Sequence, residues 1–150
     1  MKKLIDLYPY RIVDGNPRFL ILKRAKGKIY EGQWRMIGGK VLDGEKYWQA
    51  ALRELKEETG YTPVKFWTIP SVNQFYEVST DTIHTIPAFA AQISDDQNLI
   101  LDGEHTESKW TEADKVENFI LWPEQRRLIQ LTNQIIISDQ ISEDWLIPLN

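Results

Sequence analysis

Gly39-Lys40-Val41-Leu42-Asp43-Gly44-Glu45 is followed, after seven residues, by Arg53-Glu54-Leu55-Lys56-Glu57-Glu58-Thr59-Gly60-Tyr61. Within this stretch Trp48, Ala51, Leu52 and Leu55 fall at i, i+3, i+4 and i+7, the spacing of one helical stripe. The pattern predicts a helix over Glu45 to Glu58, ended by Thr59-Gly60 as a glycine C-cap, with Pro63 preventing its return. At about 100° per residue, Glu54 and Glu58 stand one turn apart on the same side, and Glu57 lies about 60° from Glu54. Three carboxylates therefore share a face, which this reading centres about 120° from the Trp48/Leu55 stripe. At about 6 Å and an effective dielectric near 20, Glu54 and Glu58 repel by roughly 3 kcal/mol if both ionise. A cation belongs there. Arg53, at i,i+4 to Glu57, offsets one charge but cannot balance three glutamates and Glu45 as well. Hard oxygen donors without sulfur or imidazole select Mg2+, Mn2+ or Ca2+, and magnesium held by a few carboxylates and substrate phosphates fits best. Acids on a solvated helix face are common, so the complete spacing carries the argument, not the acidic run alone.

Upstream, Leu4 to Val13 and Arg18 to Arg24 read as strands joined by a hairpin turn at Asp14-Gly15-Asn16-Pro17. Trp34-Arg35-Met36-Ile37 reads as another strand, delivering the chain to a flexible double glycine, Gly38-Gly39. Downstream, Val64 to Ile69, Val72 to Val78 and Thr82 to Ile93 are rich in β-branched and aromatic residues and read as strands, with a short one at Glu107 to Thr111. A second helix is predicted from Pro123 to Ile136, carrying Leu128, Ile129, Leu131 and Ile135. The order β, β, α, β, β, α suits a sheet covered by helices.

The 150 residues, 42% hydrophobic and 27% charged, suit a single domain over residues 1–150 with its own core. The absence of cysteine excludes disulfide scaffolds, thiolate zinc sites, iron–sulfur clusters and cysteine nucleophiles. A net charge of −4 argues against a protein that lives on nucleic-acid backbone. No apolar run approaches the roughly 18 to 20 residues needed to cross a bilayer. Asp6 interrupts Met1-Lys2-Lys3-Leu4-Ile5 before the apolar centre of a leader forms, so a cytoplasmic protein is expected.

The stretch from Gly39 to Tyr61 resembles the Nudix box, G-x5-E-x7-R-E-U-x-E-E-x-G-U with U a bulky apolar residue. Gly39, Glu45, Arg53, Glu54, Leu55, Glu57, Glu58 and Gly60 all stand in register. Two positions depart from the usual pattern. Ile37 stands where many members have proline before the double glycine, which bears on the loop's rigidity, and Tyr61 fills a position more often aliphatic while still supplying an apolar ring.

The resemblance implies an α/β fold, the Nudix α/β/α sandwich with a mixed β-sheet between helices. It also implies Mg2+-dependent hydrolysis of a phosphoanhydride bond in a nucleoside diphosphate-linked substrate, a (d)NTP or a related triphosphate such as dihydroneopterin triphosphate. Glu54, Glu57 and Glu58 are then expected to hold the metal, together with the carbonyl of Gly38 or Gly39. Mn2+ is expected to substitute for Mg2+. Glu45 is expected behind the ligands, toward Arg53, which orients the glutamates.

A looser resemblance lies in Glu104-His105, Trp110, Glu112-Ala113, Trp122 and Gln125-Arg126, similar to the tail of Nudix members that cleave dihydroneopterin triphosphate, dATP-like nucleotides or diadenosine tetraphosphate. It nominates Glu104 as a metal ligand or water-activating acid, against the ordinary role of a solvated turn residue after Asp102-Gly103. His105 is read as structural, beside Trp110. Asn73, Phe75 and Tyr76 fall where the family's substrate pocket tends to lie, with core packing as their ordinary role. The expected partner is a small phosphorylated substrate, without nucleic acid or membrane, for a monomer or homodimer. The alternative is a catalytically idle Nudix-fold nucleotide-binding or regulatory module, against which the intact glutamates and Arg53 argue.

Overall fold

The computed structural model describes residues 2–149. Strands β1 (Leu4–Val13) and β2 (Asn16–Arg24) form an antiparallel hairpin. Its loop is Asp14 and Gly15 alone, at φ 52° and 82°, because two left-handed residues match the twist of the flanking strands. Asn16 and Pro17, expected in the turn, already pair with β1. There follow β3 (Trp34–Arg35), β4 (Ile37–Lys40), helix α1 (Tyr47–Thr59), β5 (Lys65–Glu77), β6 (Thr82–Gln92), β7 (His105–Thr111) and helix α2 (Pro123–Ile137). Short 3-10 turns occupy Ala113–Asn118 and Glu143–Trp145.

The sheet is seven-stranded and mixed, with the path β3-β2-β1-β6-β5, β4 paired to β1 and β7 paired to β2. Only the β1/β6 pairing is parallel among the described residues. Side chains alternate between its two faces as the two-residue period requires. Tyr8, Tyr10, Phe19, Ile21, Trp67 and Ala90 face the core shared with Leu128 and Ile129 of α2. Their neighbours Leu7, Leu20, Leu22, Phe66, Phe89 and Ala91 face Ala51 and Leu55 of α1. The architecture is thus the expected α/β/α sandwich around a mixed sheet. No helix among the described residues is long and apolar enough to cross a membrane.

Three local readings change. The double glycine is not a flexible loop: Gly38 and Gly39 are strand residues opposite Asp6 and Ile5. Ile37, fully buried, opens β4 opposite Leu7. The strands expected on either side of Pro70 are one strand, β5, whose pairing with β6 shifts register between Thr68 and Val72. Pro70 lacks the N–H a regular ladder needs, and the irregularity absorbs it. Helix α1 starts at Tyr47, not Glu45, since the Gln49 side chain accepts from the Lys46 N–H at 2.8 Å and closes the first turn. Its end is as expected, with Gly60 at φ 77° donating to the Lys56 carbonyl.

The two cores make a direct test of the layering. Leu128→Ala, at a fully buried position of α2, is expected to cost about 2–5 kcal/mol in urea denaturation, whereas Ile137→Ala, at an exposed one, should stay within about 0.5 kcal/mol.

Candidate active site

Arg53 ties the loop after β4 to helix α1. Its Nε donates to Glu45 Oε2 at 2.8 Å and its Nη2 to Glu45 Oε1 at 3.1 Å, a bidentate pair. Its Nη1 donates to Glu54 Oε1 at 2.8 Å and Glu57 Oε2 at 3.2 Å, and Nη2 also reaches the Lys40 carbonyl at 2.8 Å. The guanidinium beside Glu45, with the Leu42 N–H, holds that carboxyl below the usual range. Glu57 is the outermost of the set, its side chain 56% exposed.

Glu58 stands apart from this clamp. It follows Ala51 by seven residues, so two turns bring it to within about 20° of that buried alanine. The expected face 120° from the apolar stripe is therefore wrong for Glu58, which is 2% exposed. Its Oε1 lies 3.6 Å from His105 Nε2, while Oε2 is buried with no hydrogen-bond partner. Burial first, then the neighbouring Glu54 carboxyl, then Asp102 and Glu104, push the Glu58 pKa far above the carboxylate range. Such a site accommodates either a proton or a cation. Gly39 lets β4 run directly against Glu54, since a methyl group there would sit 2.5 Å from Glu54 Cγ and Cδ.

The start of β7 completes this end. His105 Nδ1 lies 3.1 Å from Asp102 Oδ1, and Glu58, Asp102 and His105 form a group able to hold a metal ion. Arg24 reaches Glu104 Oε2 and His105 Nε2, both at 3.4 Å. His105 is thus not beside Trp110, which packs on Tyr61 and Arg11.

Glu58, Gly38, Gly39, Glu104 and His105 line a cleft of about 390 Å³, whereas Glu45, Arg53, Glu54 and Glu57 are not part of its wall. Asp6, on β1 opposite Gly38 and also lining the cleft, is 5% exposed and accepts from Asn73 Nδ2 at 2.8 Å and from the Tyr8 hydroxyl at 3.3 Å. Burial raises its pKa to about 6 against the opposing effects of Asn73, Tyr8 and the charge of Arg35. Asn73 Oδ1 accepts from Trp122 Nε1 at 3.4 Å. Phe75 packs edge-on to Trp122, with centroids 5.0 Å apart. Tyr76 alternates to the other side, exposed and bound to Asp81, and takes no part.

Sequence reasoning missed Asp6 and His105 as members of the cleft, and Asp102 as the partner of His105. For Asp6 the signal was a lone acid inside the apolar strand Leu4-Ile5-Asp6-Leu7-Tyr8.

The NUDIX domain family profile matches residues 10–132. The chain belongs to the Nudix family. Among its curated relatives, the asymmetrical bis(5'-nucleosyl)-tetraphosphatase of Caenorhabditis elegans is 29% identical over 114 residues, covering 75% of this chain and 80% of that protein. The nucleoside triphosphatase NudI of Enterobacter sp. (strain 638) is 25% identical over 118 residues, covering 73% of this chain and 84% of its own. A binary complex of the C. elegans Ap4A hydrolase superposes with a TM-score of 0.73 at 23% identity, spanning 91% of this chain and 99% of that one, which shows the shared Nudix fold.

Glu58 makes this Nudix site testable by stability alone. Its folded-state pKa lies above the unfolded value, so its contribution to stability is full below the ordinary carboxylate range and is lost as pH rises through the folded pKa. In buffer free of divalent cations at about pH 8, Glu58→Gln is expected to melt above the wild type, and below about pH 4 the difference should vanish. Added Mg2+ should raise the melting temperature of the wild type but not of the variant, which scanning fluorimetry reads directly.

Proposed function

We propose that this Nudix chain carries out Mg2+-dependent hydrolysis of a phosphoanhydride bond in a nucleoside triphosphate or a related triphosphate. By class it is a Nudix pyrophosphohydrolase. The observation that carries the reading is Glu58, a buried carboxyl with an unpartnered oxygen set beside Glu54, Asp102 and Glu104 where the cleft opens.

The residues present fit a hard divalent cation: an orphaned carboxylate oxygen, further glutamates and backbone carbonyls, with no thiolate. Glu54, Glu57 and Glu58, with the carbonyl of Gly38 or Gly39, would hold it. When bound, the ion neutralises charge on the phosphate oxygens and eases deprotonation of a bound water. Arg53 keeps Glu54 and Glu57 oriented through its hydrogen bonds and fixes the Lys40 carbonyl beside the glycines. Glu104, on the cleft wall with its side chain half exposed and its Oε2 3.4 Å from Arg24 Nη1, would accept the proton of the attacking water. The names of two relatives, a nucleoside triphosphatase and a bis(5'-nucleosyl)-tetraphosphatase, support a nucleotide polyphosphate as substrate.

A panel of nucleoside triphosphates incubated with Mg2+, read as phosphate or pyrophosphate released, tests the activity. Hydrolysis is expected to cease with excess EDTA and return with Mg2+ or Mn2+; turnover unaffected by EDTA, or none with any substrate, would overturn the proposal. Glu104→Gln should lower kcat by roughly 10²- to 10⁴-fold without unfolding the protein. Arg53→Ala should lower kcat more than it raises KM, because Arg53 supports the glutamates and does not line the cleft.

A further inference from the structure

The side of the cleft around Asp6 and Arg35 has its own chemistry, and what it binds rests on reading the cleft as the substrate site. Its walls include Phe75, Ile86 and Trp122, apolar surfaces suited to a flat ring. Two charged groups open onto it. Asp6 is held from behind: both of its hydrogen bonds, from Asn73 and Tyr8, end on Oδ2, and Oδ1 has no protein donor among the described residues. What little of Asp6 is exposed forms part of the cleft wall. Arg35 lies 4.0 Å over the Tyr30 ring, and its Nη1 donates to Gln33 Oε1 at 3.2 Å. Its Nε and Nη2 have no protein acceptor among the described residues. Asn73 bonds both Asp6 and Trp122, so the acid and the indole wall are positioned by one amide. Tyr30 holds its ring against Arg35 from a backbone at φ 61°, a conformation L residues seldom adopt.

A carboxylate with a free oxygen seeks N–H donors, and a guanidinium with free N–H groups seeks a carbonyl oxygen. A ring with two adjacent N–H donors beside a carbonyl satisfies both. That pattern is the 2-amino-4-oxopyrimidine edge, shared by guanine and pterins. Adenine offers one N–H donor flanked by a ring-nitrogen lone pair, which meets the same carboxylate unfavourably, and it has no carbonyl for Arg35. We infer that Asp6 and Arg35 read the amino-oxo edge of the substrate ring, so that this Nudix chain selects triphosphates of guanine- or pterin-type rings over those of adenine.

The decisive comparison is GTP against inosine triphosphate, which keeps the carbonyl and lacks only the amino group, with ATP and neopterin triphosphate alongside. With Mg2+, kcat/KM for GTP or neopterin triphosphate is expected to exceed that for inosine triphosphate and ATP by about tenfold or more. Asp6→Asn should reduce the GTP-to-inosine ratio to within about threefold, acting mainly through KM. Whichever of GTP and neopterin triphosphate is turned over better identifies the source of the edge. Calorimetric binding of GDP, inosine diphosphate and ADP to the metal-free wild-type protein separates this inference from the hydrolytic reading. Tighter binding of GDP without turnover of any triphosphate would sustain ring recognition while the activity fails. Equal binding and equal turnover of guanine, inosine and adenine nucleotides would overturn ring recognition and leave the activity standing.

Discussion

Arg53 joins three parts of the chain that would otherwise part company: the loop carrying Glu45, the outer face of α1 and the backbone leaving β4. Each of its five hydrogen bonds ends on a carboxylate or a carbonyl, so one planar cation satisfies acceptors that would repel one another without it. The arrangement has a limit. One guanidinium cannot also neutralise Glu58, which lies around the helix on the buried side. The charge imbalance is thereby concentrated at a single carboxyl next to the cleft, where an added cation gains most.

Around this clamp the sandwich supplies rigidity from both faces. Gly39 is the tightest point, because β4 and the Glu54 side chain occupy space a methyl group would need. On the opposite face, α2 does more than cover apolar residues. Arg127 Nη2 donates to the Val72 carbonyl at 2.8 Å, and Glu124 Oε1 accepts from the Gln74 N–H at 3.3 Å, so the helix satisfies backbone groups that β5 leaves open on the outer edge of the sheet. These bonds flank Asn73, so the cleft wall to which it belongs is fastened to the second helix.

The parts of the fold that obey simple periods were legible in the sequence. The i, i+3, i+4, i+7 stripe gave α1, Gly60 gave its end, and β-branched runs gave most of the strands. What escaped was decided by pairing between distant segments. Nothing local distinguishes a glycine pair in a loop from one in a ladder, and β1 makes that choice for Gly38 and Gly39. The acidic helix was legible as a charge problem, but averaging three glutamates into one face hid the fact that Glu58 shares an azimuth with Ala51. His105 and Asp102 come to Glu58 only through the pairing of β7 with β2, and Asp6 meets Asn73 across β6, contacts that no spacing along the chain encodes.

The turn at Asp14 and Gly15 sets the phase of everything on β1. Counting back from it, odd and even positions fall on opposite sides of the sheet, which sends Ile5 and Leu7 to the α1 core and leaves Asp6 and Tyr8 on the side of α2. A residue inserted within the turn would lengthen only a surface loop. The same residue inserted between Asp6 and Asp14 would invert the order, driving the Asp6 carboxylate into an apolar layer with no donor and presenting an isoleucine or leucine to the cleft. The arm of the hairpin thus acts as a ruler, and the chemistry displayed upstream depends on the number of residues between Asp6 and the turn.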